Sequence, residues 1–290
     1  MANSDHPPRI GGLSEIAGRY RYVLCDAWGV LHNGIRAYPA AVDALIRARK
    51  AGLTVFVLTN APRPKAQVAT QFERFGVDPA AYDDIVTSGD SAREYLAGRA
   101  GAKAFFIGPD RDRTVFEGTG VSLCEDAEAG LIACAGLFDD ERETPDDYVE
   151  RMRDWVARGL PFVCANPDKV VERGDRIVWC AGALAQQYAA LGGETIVLGK
   201  PHAPIYATAM RRFAEFTGAE IDPATVLAIG DAAETDIRGA NDAGLDVLFV
   251  TAGIHAEQFG TRHEPGAAAV DAFLVRHRLG ARAFIPHLAW

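Results

Sequence analysis

The sequence predicts an α/β fold in which a doubly wound, mostly parallel sheet is interrupted by an inserted α/β stretch. Three observations carry this expectation. Short apolar runs alternate with helix-period patterns at both ends of the chain, which is how parallel βα units read. Four polar segments directly follow buried-strand runs. Residues 88–193 carry strand and helix signals of their own but none of those segments. The expected division is therefore 1–87 with 194–290 as the core, and 88–193 as the insert.

The elements follow in order. Tyr22-Val23-Leu24-Cys25 reads as a first buried strand. Pro39 opens a helix with Val42, Leu45 and Ile46 on one face, stopped at Gly52, since proline suits the first turn and glycine the end. Leu53 to Leu58, rich in β-branched residues, is a second strand. Ala104–Ile107, Leu131–Ala135, Pro161–Ala165 and a helix over Gly182–Leu191 populate the insert. The core resumes with Thr195–Leu198 and a helix from Pro204 that aligns Ile205, Ala209, Met210, Phe213 and Phe216. A strand over Val226–Ile229, a helix from Thr235 to Gly244 and a strand over Val247–Val250 follow. The tail is mixed, with a helix over Ala268–Leu279.

The bulk properties narrow the function. The 290 residues are 49% hydrophobic and 24% charged, as in soluble globular chains. A formal charge of −9 argues against a nucleic-acid partner, because phosphate backbones are held by clustered Lys and Arg. It does not exclude a small phosphorylated substrate, since one bound cation reverses the field of a pocket. The cysteines Cys25, Cys124, Cys134, Cys164 and Cys180 form no CxxC pair and read as buried free thiols. Met1 to Ile10 lacks the apolar core of a secretion signal, and no run is long and apolar enough to span a bilayer. A cytoplasmic protein with no membrane partner is expected.

Chemistry gathers where parallel strands end. Cys25-Asp26-Ala27-Trp28-Gly29-Val30 follows the first strand and Leu58-Thr59-Asn60 ends the second. Gly199-Lys200-Pro201-His202 and Gly230-Asp231-Ala232-Ala233-Glu234-Thr235-Asp236 follow two more. Each alone reads as a turn or helix cap. Together they supply a carboxylate nucleophile, a hydroxyl, a cation and a second carboxylate pair, which is a kit for phosphoryl transfer. Asp26 can attack phosphorus once its repulsion by the phosphoryl oxygens is neutralised. A Mg²⁺ ion shared by Asp26 and Asp231 would do this. Lys200 and Thr59 can hold the equatorial oxygens.

These four segments, in this order, resemble motifs I to IV of the haloacid-dehalogenase superfamily. The resemblance is closest to its class IIA (NagD-type) members, on Leu58-Thr59-Asn60 with Thr87-Ser88-Gly89 downstream, Asn166-Pro167-Asp168 inside the insert, and Gly199-Lys200-Pro201. It implies a Rossmann-like core with a cap of C2a type, and a Mg²⁺-dependent phosphatase working through an aspartyl phosphate. It also implies roles: Asp26 the nucleophile, Thr59 the phosphate-binding hydroxyl with Asn60 beside it, and Lys200 the motif III lysine. Asp26, Asp231, Asp236 and the main-chain carbonyl of Trp28 would be the metal ligands. Dimerisation through the insert is open to such a protein.

Trp28 departs from the phosphatase pattern, in which the residue two after the nucleophile is an aspartate that protonates the leaving group. A subgroup with Asp-x-Trp-Gly-Val is also similar to this chain. Two alternatives follow from Trp28: a catalytically weak or silent binder of phosphorylated metabolites, and hydrolysis of a carbon–halogen or carbon–phosphorus bond. The paired Asp231 and Asp236 argue against dehalogenation, where a metal has little use. His32 and His202 lie near the motifs as replacement proton donors, with structural roles as the plainer reading of each.

Overall fold

Buried apolar runs pair into two parallel sheets, each covered by helices. The computed structural model of the chain describes residues 6–173 and 176–290, so the polar start is outside it as far as residue 5. The strands are β1 (Tyr22–Cys25), β2 (Thr54–Thr59), β3 (Asp84–Thr87), β4 (Lys103–Ile107), β5 (Ser122–Leu123), β6 (Leu131–Cys134) and β7 (Phe162–Cys164). They continue with β8 (Val170–Arg173), β9 (Arg176–Trp179), β10 (Thr195–Val197), β11 (Val226–Gly230), β12 (Asp246–Val250) and β13 (Ala283–Ile285).

The six-stranded sheet has the order β13-β12-β11-β1-β2-β3. Strands β13, β12, β11, β1 and β2 pair in parallel, with Cys25 in register with Ile229 on one side and Val57 on the other. A second sheet, β10-β7-β6-β4-β5, is parallel throughout, and β8 and β9 form an antiparallel hairpin. Contacts divide the chain into two compact units: Met1–Thr59, Ala69–Val86 and Tyr206–Trp290 in the first, Asn60–Val68 and Thr87–Ile205 in the second.

In the first unit every residue of β1 is buried, as a central strand covered on both faces requires. The helix Pro39–Lys50 starts with proline in its first turn, and Gly52 follows its end at φ +97°, a left-handed conformation that glycine adopts at no steric cost. Arg47, Arg49 and Lys50 fill its last turn, where cations meet the negative end of the helix dipole. Phe213 of the helix Ala203–Thr217 stacks on Phe56 of β2 at 4.1 Å between ring centroids. In the second unit Met152, Trp155, Phe162, Leu184 and Tyr188 form one core cluster, and Leu96, Phe106, Phe116 and Leu131 belong to another.

Most expected elements stand, and the departures have physical reasons. The run before Lys200 forms β10, an edge strand of the five-stranded sheet rather than of the sheet that carries Asp26. Three residues of β-branched character specify a strand, not which sheet it joins. The helix expected from Thr235 begins as a π-helical turn, Ala233–Ile237, before Arg238–Asp242 becomes α-helical. Phe216 is 56% exposed instead of buried, its ring edge-on to Phe56. The sequence does not predict the strands β3, β5, β8, β9 and β13, which are short and without clean alternation. Among the described residues, no helix is long and apolar enough to cross a membrane.

Candidate active site

The strand order β11-β1-β2 places Asp231, Asp26 and Thr59 at three adjacent carboxyl ends in the first unit. Asp26 is anchored by its own N–H, which donates to the Ile229 carbonyl at 2.8 Å. Asp26, Asp231 and Asp236 each present an oxygen within 4.8 Å of the others, and all three are buried. Thr59 is buried as well. Among the described residues no other group of three His, Cys, Asp or Glu side chains comes so close together.

The main chain around this trio is shaped to it. The N–H groups of Asp231 and Ala232 both donate to Asp236 Oδ2 at 3.1 Å, and the N–H of Ile254 donates to Asp231 Oδ2 at 2.9 Å. Asp236 thus closes the loop as well as joining the cluster. A Cβ on Gly29 would lie 2.3 Å from Asp231 Oδ2, and one on Gly253 would lie 1.9 Å from it. Two glycines, one from the loop after β1 and one from the loop after β12, therefore make the room in which that carboxylate sits.

Desolvation and mutual repulsion both oppose the charged form of carboxylates held this close, and a cation shared among them offsets both. The donor set is all carboxylate oxygen, which fits a hard divalent cation such as Mg²⁺ rather than a soft metal. The residues present therefore fit the metal that the sequence implies.

Trp28 follows within the same loop, partly buried, its ring in an edge-on arrangement with that of His32 at 5.2 Å between centroids. His32 is 3% exposed and sits against Phe72 and Phe75. Its Nδ1 accepts the N–H of Gly34 at 3.0 Å, and burial pulls its pKa down to about 4. A neutral ring with one nitrogen committed braces the loop and is no proton donor at neutral pH. His255 lies in the loop after β12, where its Nε2 accepts the N–H of Ala233 at 3.1 Å. Burial, with the nearby His277 adding to the effect, lowers its pKa too.

Lys200 and Asn60 are brought together in the second unit. Asn60 Oδ1 accepts the Lys200 N–H at 2.7 Å, while its Nδ2 donates to the Lys200 carbonyl at 3.2 Å and to Asp168 Oδ1 at 2.8 Å. Lys200 is 4% exposed. The Asn60 amide thus brackets the lysine's main chain. His202 is exposed, and burial of part of its ring lowers its pKa. Sequence reasoning passed over two contributors. Asp168 enters the sequence reading for its motif alone, and Gly253-Ile254-His255, three residues beyond the end of β12, does not enter it.

Known proteins are similar to this chain in sequence and in fold. Residues 23–122 match the family described as haloacid dehalogenase-like hydrolase, and residues 197–274 match a HAD-hydrolase-like family. A crystal structure of a hydrolase of the haloacid dehalogenase-like family from Brucella suis 1330 is 42% identical, with a TM-score of 0.86 over 98% of this chain and 100% of that one. D-glycerol 3-phosphate phosphatase of Mycobacterium tuberculosis is 28% identical over 87% of this chain and 69% of its own length. Ribonucleotide monophosphatase NagD of Escherichia coli is 26% identical over 80% and 88%.

Proposed function

The chain belongs to the haloacid dehalogenase-like hydrolase family, in its class IIA, and from that premise we propose that it is a Mg²⁺-dependent phosphatase of a small phosphorylated metabolite. The observation that carries this reading is the buried trio formed by Asp26 and Asp231 at neighbouring strand ends and Asp236 in the turn that follows. Two relatives named as phosphatases support it.

Asp26 is the nucleophile. One carboxylate oxygen forms a bond to phosphorus as the ester oxygen departs with its electron pair, leaving an aspartyl phosphate. Water then attacks that phosphorus, releasing inorganic phosphate and restoring the carboxylate. Asp231 and Asp236, with Asp26 and the Trp28 carbonyl, would hold Mg²⁺, which supplies positive charge against the phosphoryl oxygens. Thr59 is assigned to those oxygens as a hydroxyl donor and Lys200 as a fixed cation, with Asn60 setting the lysine's main chain. Residues 88–193 are assigned to substrate selection as the cap.

The test is a screen of phosphorylated metabolites with and without Mg²⁺, including pyridoxal 5′-phosphate, sugar phosphates and nucleoside monophosphates. Metal-dependent release of phosphate is the expected result, and beryllofluoride should bind wild-type protein and not Asp26→Asn. Trp28 supports a second reading, a silent binder of phosphorylated metabolites. Metabolite binding without turnover on any ester, with metal bound, would select it.

A further inference from the structure

The loop after β12 bears on the trio from two directions. The turn Asp231-Ala232-Ala233 opens a helix, and the first N–H groups of a helix have no partners within it. Here three consecutive N–H groups are met by side chains: Asp236 Oδ2 accepts from Asp231 and Ala232, and His255 Nε2 accepts from Ala233 at 3.1 Å. Ala233 is buried, and the imidazole is the partner its N–H meets. Two residues before the ring, Gly253 leaves the space for the Asp231 carboxylate, and the N–H of Ile254 donates to it. One short segment thus grips the turn at its carboxylate and again at its helix end.

The ring is itself fixed. With Nε2 accepting the Ala233 N–H, the proton of the neutral ring sits on Nδ1. Its face packs against Phe273 at 5.0 Å between centroids. A bond made by a ring with a set tautomer and orientation holds the main chain it reaches to a narrow range of positions.

We propose that His255 is a positioning residue for the metal site, fixing the Ala233 main chain and through it the place of the Asp231 carboxylate within the trio. The proposal rests on the reading of that trio as a Mg²⁺ site. Mg²⁺ demands near-octahedral oxygen geometry at short distance, so a ligand set free by a fraction of an ångström binds it less well. His255 touches no reacting atom, and its contribution is to the geometry of a group that does.

The experiment is calorimetric titration of the full chain with MgCl2, beside thermal melts without metal. His255→Leu removes the acceptor, and His255→Gln places an amide oxygen near the position of Nε2. The expected result is about 10- to 100-fold weaker Mg²⁺ binding in His255→Leu, the usual span for outer partners of metal ligands, with His255→Gln recovering most of it. His255→Asn, which draws the amide back by one methylene, gives the same contrast should the leucine variant fail to fold. A folded His255→Leu with wild-type affinity, or a folded His255→Gln as weak as the leucine variant, overturns the proposal while leaving the metal reading intact. Wild-type protein that binds no Mg²⁺ overturns the metal reading, and the proposal with it.

Discussion

In the six-stranded sheet the chain leaves β1 and β11 through Asp26 and Asp231 and ends β2 on Thr59. In the five-stranded sheet it leaves β4, β6 and β7 through Gly108, Ala135 and Ala165, after Ile107, Cys134 and Cys164. Both sheets are parallel, both are covered by helices, and both bury the strand ends just named. Burial keeps the thiols that end β6 and β7 neutral: it pushes Cys164 up to about 12 and Cys134 well above its ordinary value. The first sheet packs carboxylates into the equivalent places. The architecture offers a carboxyl edge in each case, and the residue types there decide what each strand end can do.

The sharpest way to break this contrast is Asp26→Asn. The amide keeps the shape of the carboxylate but is a far poorer nucleophile, so phosphatase turnover should fall by more than about 10³-fold with the thermal midpoint little changed. Steady-state kinetics beside a melt checks both. A variant that keeps more than a few per cent of turnover would move the nucleophile elsewhere.

Trp28 gives the next largest effect. An indole cannot protonate a departing alkoxide, and His32 is neutral and braced. A positioned acid is worth about 10²- to 10⁴-fold, so p-nitrophenyl phosphate should be hydrolysed faster than simple alkyl phosphates by a margin of that order. The dependence of kcat/KM on leaving-group pKa should be steep, and Trp28→Asp should flatten it. A flat dependence in the wild type would show that another side chain already supplies the proton.

His32 marks the first unit in its response to acid. The unfolded chain takes up a proton there below about pH 6.5, whereas the folded chain resists until about 4. Its contribution to stability is therefore full above pH 6.5 and is lost as pH falls through that window, by about 2 kcal/mol between pH 7 and 5. His32→Asn, whose amide oxygen can still accept from Gly34, should show a flatter pH dependence by about that amount in urea unfolding. Equal slopes for the two proteins would remove His32 as the cause.

The same contrast explains how much the sequence disclosed. The strand ends around Asp26, Thr59 and Asp231 were legible because buried runs and the polar residues that close them are local features. The place of Lys200 was not, because Thr195–Val197 pairs with Phe162–Cys164, a choice set by packing far along the chain. The work of Asn60 was hidden for a similar reason, since its partners Asp168 and Lys200 lie 108 and 140 residues away. Gly253-Ile254-His255 lay after a run that had been read as a strand, but a glycine and a histidine in a loop give no sign of what they face.

The smallest expected effect lies at the ends of the second sheet. Cys134 and Cys164 are register partners on β6 and β7, each giving its thiol hydrogen to a nearby carbonyl, that of Gly136 and Asn166 respectively. Truncating either to alanine removes one polarizable atom from a packed core, and the expected cost is about 1 kcal/mol at pH 7, with kcat/KM unchanged. The sign of the pH effect is opposite to that of His32. An unfolded Cys164 ionises above about pH 9 while the folded one resists to about 12, so its contribution is present below pH 9 and is lost as pH rises. Between pH 8 and 10, wild-type protein should lose about 1 kcal/mol more than Cys164→Ala. In native protein the half-buried Cys124 should be the thiol that a disulfide reagent reaches, with the four buried cysteines reacting only on unfolding. Rapid modification of Cys134 or Cys164 in the folded state would mean that this carboxyl edge is open to solvent and reactive, and the contrast between the two sheets would fail there.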